Sequence, residues 1–273
     1  LGRMMERAGY NLWGFHNNSY TYYDRNLSFP NMGYNWIGSG NGYEAEKNSS
    51  GNDIWPQSDL HLIDTTFDTY KDSEPFHVYY MTVSGHVQYT FTGNSMSLRN
   101  RDAVEDLPYS DNAKAYIACN IELDKALESL INHLEEAGIA DRTLVVLSAD
   151  HIPYDNKEIC DEIAGHTLDE NFEWYENNLI MWTGNMTENV VVDKVCCALD
   201  ILPTIANMLG LDYDSRILMG RDIFSDTEGL VLFRNRNWIT DTAMYIASTG
   251  EVISRTGEEV PQEYVDQINT IVS

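Results

Sequence analysis

Apolar residues recur at helical spacing in two long segments of the chain. Within residues 57–71 they lie three or four positions apart, which predicts an amphipathic helix. The same spacing over residues 112–137 predicts the longest helix, which ends at Gly138. The remaining predicted helices are 2–8, 192–209 and 261–272.

Short runs of β-branched, aromatic and aliphatic residues alternate with these helices. FHVYYMTVS (76–84) and TLVVLSA (143–149) are almost continuously apolar, which is typical of strands buried on both faces. Polar residues dominate 17–54 and 85–111, which are predicted to be loops. Further predicted strands are 11–15, 177–184, 230–233, 244–248 and 251–255, and Thr249-Gly250 is a predicted turn between the last two.

This alternation of strands and helices favours an α/β fold. We expect a mostly parallel central sheet with helices on both faces, followed by a small C-terminal antiparallel β region. Residues 1–273 are interpreted as a single domain, since the length suits one large core. In such sheets the functional loops follow the carboxyl ends of the strands.

Three predicted strands end in side chains that carry chemistry. His16 follows the strand at 11–15, His86 follows the strand at 76–84, and Asp150 with His151 follows the strand at 143–149. If the strands are parallel, these groups meet at one edge of the sheet. A carboxylate and an imidazole are suitable ligands for a divalent cation, which could stabilise charge on a phosphoryl group.

Each of these residues also has an ordinary structural interpretation. An acid and a histidine after a strand commonly form a hydrogen-bonded turn, and only the coincidence of three strand ends favours a shared site. His61, His77 and His133 are interpreted as structural, whereas a role for His166, in a loop soon after the Asp-His pair, stays open.

The composition restricts the kinds of molecule that the protein can bind. The 273 residues carry 43 acidic and 17 basic side chains, a net charge of −26. Such a surface repels nucleic acid and anionic lipid, whereas it suits cation binding or serves solubility alone. No apolar run is long enough to span a membrane. Four cysteines show no zinc-like spacing and leave the disulfide state open: Cys119, Cys160, Cys196 and Cys197.

Several motifs, in matching order and spacing, resemble those of the extracellular catalytic domain of lipoteichoic acid synthases, within the alkaline phosphatase and sulfatase superfamily. They cover nearly the whole chain. The motifs are AGYNLWGFHNNSYTYYDRN (8–26), MGYNWI (32–37), TVSGHVQY (82–89), VVLSADH (145–151), LDILPTIANMLGLD (199–212), MGRDIF (219–224) and LFRNRNWIT (232–240).

The resemblance implies a role for each candidate residue. Asp150 and His151 correspond to ligands of the catalytic metal, typically Mn²⁺, with Mg²⁺ or Zn²⁺ as alternatives. His16 and Arg25 correspond to residues that hold the glycerophosphate group, and a guanidinium suits that task because it binds two phosphate oxygens at once. His86 corresponds to the imidazole beside the nucleophile or the leaving oxygen. Tyr23 stands where the family usually has tryptophan, which keeps an aromatic wall but changes its shape.

The resemblance also predicts what the chain lacks. The threonine nucleophile and an acidic metal ligand of the family lie upstream of the first matching motif, together with a strand and several transmembrane helices. We therefore expect the 273 residues to bind metal weakly or not at all and to be inactive alone. The implied parent protein is anchored on the outer face of a bacterial cell membrane and transfers glycerophosphate from a glycerophospholipid to an alcohol or a glycerophosphate polymer.

Three alternatives remain at this stage. A sulfatase would need Cys or Ser in a C/S-x-P-x-R context, which none of the four cysteines has. Another phosphodiesterase or a phosphoethanolamine transferase of the superfamily is the second alternative. The third is a degenerate module that binds glycerophosphate without turnover. No oligomeric state follows from the sequence.

Overall fold

A parallel sheet of four strands organises residues 2–186, the larger of two units in the computed structural model of the chain. The structure describes residues 1–153 and 156–273. The strands are β1 (Asn11–Ser19), β2 (Asn35–Ser39), β3 (Gly42–Tyr43) and β4 (Phe76–Met81), in the order β3-β2-β1-β4 across the sheet. The predicted strand at 11–15 thus becomes the interior strand β1, which pairs in parallel with β2 and β4.

Helices cover both faces of this sheet, as predicted. They are α1 (Gly2–Arg7), α2 (Arg25–Asn31), α3 (Asp59–Tyr70), α4 (Ser95–Arg99), α5 (Asp111–Glu136) and α6 (Lys157–Ala164). On one face Phe15 is fully buried among side chains of α3 and α5, including Leu62 and Leu134. On the other face Trp36 of β2 stacks on Phe29 of α2, with ring centroids 4.1 Å apart.

The absence of a side chain at Gly14 leaves room for the ring of Trp36 on the face of the sheet. The two residues are register partners in β1 and β2. A Cβ atom at Gly14 would lie 2.8 Å from the Trp36 ring, so a side chain there would displace the indole. The strand alternation then places Gly14 and His16 on the α2 face, and Phe15 and Asn17 on the α3 face.

The two long helices form as the apolar spacing predicts. The helix predicted at 57–71 is α3, and the one predicted at 112–137 is α5. Ser58 caps α3, since its hydroxyl accepts from the backbone N–H of His61 at 3.0 Å. Such a cap is worth about 1 kcal/mol.

The strand that leads to Asp150 is not part of the parallel sheet, contrary to the sequence-based expectation. The strands β5 (Val145–Ser148) and β6 (Leu179–Trp182) pair antiparallel with each other. Among the described residues β5 has no other strand partner. An apolar run predicts a strand but not its neighbour, and this is why the prediction was wrong.

The expectation that β4 and β5 are buried on both faces is also wrong. Every residue of these two strands is at least partly exposed. Within the described part of the chain each pairs along one edge only, with β1 and β6 respectively. An unpaired edge leaves neighbouring side chains accessible to water.

Two segments predicted as loops contain regular structure. Residues 17–54 include the end of β1, all of α2, β2 and β3, and residues 85–111 include α4. The many Asn and Gly residues of the first segment do form turns, but they separate short elements. Those elements are fixed by aromatic packing, such as the Phe29–Trp36 stack, rather than by local propensity.

The smaller unit spans residues 187–273, with Leu1 assigned to it as well. Its four-stranded sheet is antiparallel, as predicted for the C-terminal region. Trp238 is fully buried in its core against Val265 and Ile268 of the last helix. The elements are α7 (Ala198–Met208), β7 (Leu230–Leu232), β8 (Trp238–Thr240), β9 (Ala243–Ile246), β10 (Glu251–Ser254) and α8 (Gln262–Val272). That residues 1–273 form a single domain stays a prediction.

No described helix combines the length and the apolar character needed to cross a bilayer.

Candidate functional site

His16 lies within β1, three residues before its end, and is 2% exposed. Its Nδ1 is 2.9 Å from the carbonyl oxygen of Met81, the last residue of β4. A carbonyl oxygen only accepts, so we assign the proton of the neutral ring to Nδ1. This bond fixes the ring plane and directs Nε2 away from the strand pair.

Arg25 occupies the Nε2 side of this imidazole. The Nη1 group of Arg25 lies 3.3 Å from Nε2, which accepts the hydrogen bond. Burial lowers the pKa of His16 to about 4, and the charge of Arg25 lowers it further, while the bond to Met81 opposes the change. His16 is therefore neutral at pH 7, and Arg25 is the cation of the pair.

Two tyrosines flank the guanidinium. Its carbon lies 5.4 Å from the ring centroids of both Tyr22 and Tyr23, within cation–π range. Tyr23 and Asp24 both have φ of 53°, a left-handed conformation that is unusual without glycine. Tyr23 is 77% exposed. Backbone strain of this kind persists where surrounding structure enforces it, often at binding sites.

His86 is held mainly through its backbone. Its N–H donates to the carbonyl of Val83 at 2.9 Å, and its own carbonyl accepts from Asn94 Nδ2 at 3.0 Å. The ring Nδ1 is 3.2 Å from the Val87 carbonyl, which again directs Nε2 outward in the neutral form. The half-exposed ring of Trp55 stands edge-on to the imidazole, with centroids 5.7 Å apart.

Asp150 and His151 follow β5 and are much more exposed. Their side chains are 85% and 44% exposed, and Asp150 Oδ2 lies 3.7 Å from His151 Nε2. The Nδ1 of His151 is 2.7 Å from the carbonyl of Ile152. Such a bond to a backbone carbonyl is the usual support of a metal-binding histidine.

Tyr79 links the two groups of candidates. Burial raises the pKa of its phenol, the carboxylate of Asp150 adds to the rise, and Arg25 opposes it. One phenol on β4 thus lies within electrostatic range of both Asp150 and Arg25. The structure brings His16, Arg25, Tyr22 and Tyr23 into direct contact, and the carboxylate of Asp150 acts electrostatically on the same phenol as Arg25.

The donors at Asp150 and His151 suit a divalent cation in type but not in number. Two donors from adjacent residues are too few to fix coordination geometry. Among the described residues, no group of three or more His, Cys, Asp or Glu side chains could hold a metal ion. The pair fits part of a metal shell, and the remaining ligands are not found in the described chain.

Sequence reasoning missed four residues that shape this region: Trp55, Asp59, Tyr79 and Asn94. Asp59 directly follows Ser58, the cap of α3, and Asn94 caps α4 before SMSL, so the signal for a helix start was available at both positions. The contacts of Asp59 and Asn94 with Ser84 and His86 could not be predicted, because they join residues that are not neighbours in any local sequence pattern.

Comparison with known proteins gives concordant results. A model of the family described as Sulfatase matches residues 1–211. The lipoteichoic acid synthase of Staphylococcus saprophyticus is 24% identical over 180 residues, covering 64% of this chain and 27% of that protein. The enzyme of the same name from Staphylococcus aureus (strain USA300) is 26% identical over 196 residues, covering 70% and 29%. The chain thus aligns with less than a third of the length of these relatives.

The fold has a close counterpart among solved structures. The crystal structure of a lipoteichoic acid synthase from Listeria monocytogenes superimposes with a TM-score of 0.77 and 20% identity. The match covers 100% of this chain and 69% of that one. A protein in the alkaline phosphatase superfamily from Vibrio parahaemolyticus superimposes with a TM-score of 0.67 and 13% identity, covering 99% of this chain and 65% of that one. The chain thus shares the α/β fold of these structures, with its parallel sheet and C-terminal antiparallel sheet, as the sequence predicted.

Proposed function

The chain belongs to the Sulfatase family, and we propose that it is part of a phosphotransferase that moves glycerophosphate from a glycerophospholipid, as in the lipoteichoic acid synthases it resembles. The contact of neutral His16 with Arg25, beside exposed tyrosines, is the observation that carries this proposal. A guanidinium with an adjacent imidazole at a strand end suits a phosphodiester, and the acidic remainder of the chain does not.

Binding of the phosphate is assigned to Arg25 and His16. Arg25 donates to the phosphate oxygens through the N–H groups that His16 does not use, while the neutral His16 Nε2 accepts from Nη1 and holds the guanidinium in place. The aromatic wall at Tyr23 borders the glycerol. Arg25 already contacts both His16 and the ring of Tyr23.

His86 is assigned to proton transfer at the leaving or attacking oxygen. A hydroxyl nucleophile attacks phosphorus, the bond to the diacylglycerol oxygen breaks, and that oxygen leaves with a proton. An acceptor hydroxyl then attacks the enzyme-bound phosphate and frees the nucleophile. The nucleophile and the anchoring helices of the parent, on the outer face of a bacterial membrane, are assigned to segments outside the 273 residues.

Asp150 and His151 are assigned two positions in the shell of a divalent cation, with Mn²⁺ preferred over Mg²⁺ or Zn²⁺. When bound, such an ion neutralises charge on the phosphoryl group. The chain alone is expected to be inactive. In the parent protein, Asp150→Ala should abolish turnover of a glycerophospholipid, and equal turnover by both proteins would remove the metal assignment.

A binding experiment on the chain itself tests the proposal. Calorimetric titration with sn-glycerol 3-phosphate should show binding that Arg25→Gln weakens by at least about tenfold, or ~1.4 kcal/mol. Arg216→Gln is the matched control, because Arg216 is exposed and pairs with Asp214 in the smaller unit. Tighter binding of sulfate or of O-phosphoethanolamine would favour a sulfatase or a phosphoethanolamine transferase instead.

A further inference from the structure

Asp59, at the start of α3, bonds to both segments that carry the candidate histidines. The residue is 1% exposed. Its Oδ1 accepts from Asn17 Nδ2 and from the backbone N–H of Val83, each at 2.8 Å. Its Oδ2 accepts from the backbone N–H of Ser84 at 3.1 Å.

Two of the residues that Asp59 contacts lie one or two positions from a candidate histidine in the sequence. Asn17 follows His16 in β1, and strand alternation turns it to the opposite face, toward α3. Ser84 precedes His86 by two residues, and its Oγ accepts from the backbone N–H of Asp59 at 3.0 Å. Asn17 and Ser84 are both fully buried.

The segment before His86 has little remaining freedom. Asn94 Nδ2 donates to the carbonyls of Ser84 and His86, at 3.2 and 3.0 Å. The Oδ1 of Asn94 accepts in turn from the backbone N–H groups of Met96 and Ser97, both at 2.9 Å. The side chain of Asp59 thus binds the N–H groups of Val83 and Ser84, and that of Asn94 binds the carbonyls of Ser84 and His86.

We propose that Asp59 is a positioning residue that sets His16 and His86 in one fixed arrangement for the phosphate. This inference deepens the proposed function and rests on it for the roles of the two histidines. Asp59 does not reach the substrate and acts through Asn17 and Ser84.

The chemistry of the contacts requires a carboxylate. Three N–H groups point at its two oxygens, so an amide would set its NH₂ against one of these donors. Burial raises the pKa of Asp59, and hydrogen bonds from Val83, Asn17 and Ser84 oppose that change. A buried carboxylate of this kind costs stability compared with an apolar side chain, which favours a role beyond holding the fold together.

Histidine ring NMR signals of the full chain test the inference without any ligand. Asp59→Asn should move the signals of His86 and His16, with the larger change at His86, because β1 is also held by its sheet bonds. The signal of His133 should stay in place. Asp64→Asn is the matched control on the same helix, since Asp64 accepts from Ser129 and from His133 Nε2 at 3.2 Å. The control should move His133 alone.

A milder variant covers the case in which Asp59→Asn does not fold. Ser84→Ala removes a single hydroxyl, which accepts from the Asp59 backbone N–H and donates to the Gln57 carbonyl. It should move the His86 signal and leave His133 unchanged. Signals of His16 and His86 that stay in place in a folded Asp59→Asn protein, or a His86 signal that stays in place in Ser84→Ala, would overturn the inference.

Titration with sn-glycerol 3-phosphate separates this inference from the proposed function. We expect Asp59→Asn to weaken binding three- to tenfold and Asp64→Asn to leave it unchanged. Wild-type protein that binds no glycerol phosphate would refute the proposed function, while the NMR signals still decide on Asp59. Equal affinity of wild-type and Asp59→Asn protein would refute the positioning role.

Discussion

The two groups of candidate residues differ in how the fold supports them. His16 belongs to an interior strand paired on both edges and is 2% exposed. Asp150 follows a strand paired on one edge within the described residues, and its side chain is 85% exposed. We call the first group, His16, Arg25 and His86, the phosphate half, and the second, Asp150 and His151, the metal half.

The comparison indicates which of the two proposed binding sites is preorganised in the chain. In the phosphate half, the Met81 carbonyl and Arg25 fix the imidazole of His16 before any ligand arrives. Such preorganisation lowers the entropic cost of binding. The metal half has two side chains of suitable type, and the strand before them is paired along one edge only within the described residues.

The strand edges suggest how the metal half is completed. Val145 of β5 and Val78 of β4 both pack against the core of α3 and α5, yet the described parts of β4 and β5 do not pair with each other. A strand supplied by the parent protein between them would pair with both edges and bury both strands. This arrangement remains our proposal, and it would explain why apolar segments typical of buried strands are partly exposed here.

Matched truncations in the two supporting strands should have the largest effects. Leu12→Ala in β1 removes a side chain that is 3% exposed, and we expect a loss of about 2–4 kcal/mol in the free energy of unfolding. Leu147→Ala in β5 removes the same atoms from a partly exposed position and should cost roughly 1 kcal/mol. Urea denaturation measures both losses, and equal losses would contradict the comparison.

Lowering the pH should reduce the free energy of unfolding through protonation of His16 in the phosphate half. The folded-state pKa of about 4 lies below the ordinary value of 6.5, because burial disfavours the charged ring. The unfolded chain therefore binds the proton first, and stability is lost as the pH falls from 6.5 to about 4. At about 1.4 kcal/mol per pH unit, the loss is up to ~3 kcal/mol.

A substitution isolates this contribution. His77 is a partly buried histidine whose pKa desolvation also lowers to about 4, so His16→Gln should reduce the acid-induced loss without abolishing it. His166→Gln is the control of opposite sign. The hydrogen bond to Glu173 raises the pKa of His166, and its contribution is lost as the pH rises. An unchanged pH dependence in His16→Gln would show that the ring is not buried as described.

The metal half should bind Mn²⁺ only weakly in this chain. With two ligands we expect a dissociation constant on the order of 1 mM, followed by the electron paramagnetic resonance signal of free Mn²⁺. Asp150→Asn should remove this binding. Asp68→Asn is the control, because the Asp68 side chain is 82% exposed and pairs with Lys71. Tight stoichiometric binding by the wild-type chain would show that the metal shell is complete within it.

The sequence predicted the elements that local patterns determine. Apolar spacing located α3 and α5 within two residues at each end, and the alternation of elements gave the correct fold class. The motifs placed His16 and Arg25 in segments that do come into contact. The helix α2, which begins at Arg25, was missed, because its packing on Trp36 depends on a strand that follows it.

Long-range pairing accounts for what the sequence did not predict. Asp59 lies 42 residues from Asn17 and 25 from Ser84, and no local pattern signals these bonds. The antiparallel partner of β5 was likewise not encoded in its apolar run. The residue types that could carry chemistry were recognisable, whereas the network that orients them required the fold.

The smallest expected effect concerns the backbone beside Arg25. Asp24 has φ of 53°, a conformation that costs a non-glycine residue about 1 kcal/mol. Asp24→Gly should relieve that cost and raise the free energy of unfolding by roughly 0.5–1 kcal/mol, whereas Asp24→Ala keeps the Cβ atom and should not. If the strain serves the phosphate half by holding Tyr23 and Arg25 together, the glycine variant should also bind sn-glycerol 3-phosphate more weakly despite its higher stability. A variant that gains stability and keeps its affinity would show that the left-handed turn is incidental to the site, and that the His16–Arg25 contact alone preorganises the phosphate half.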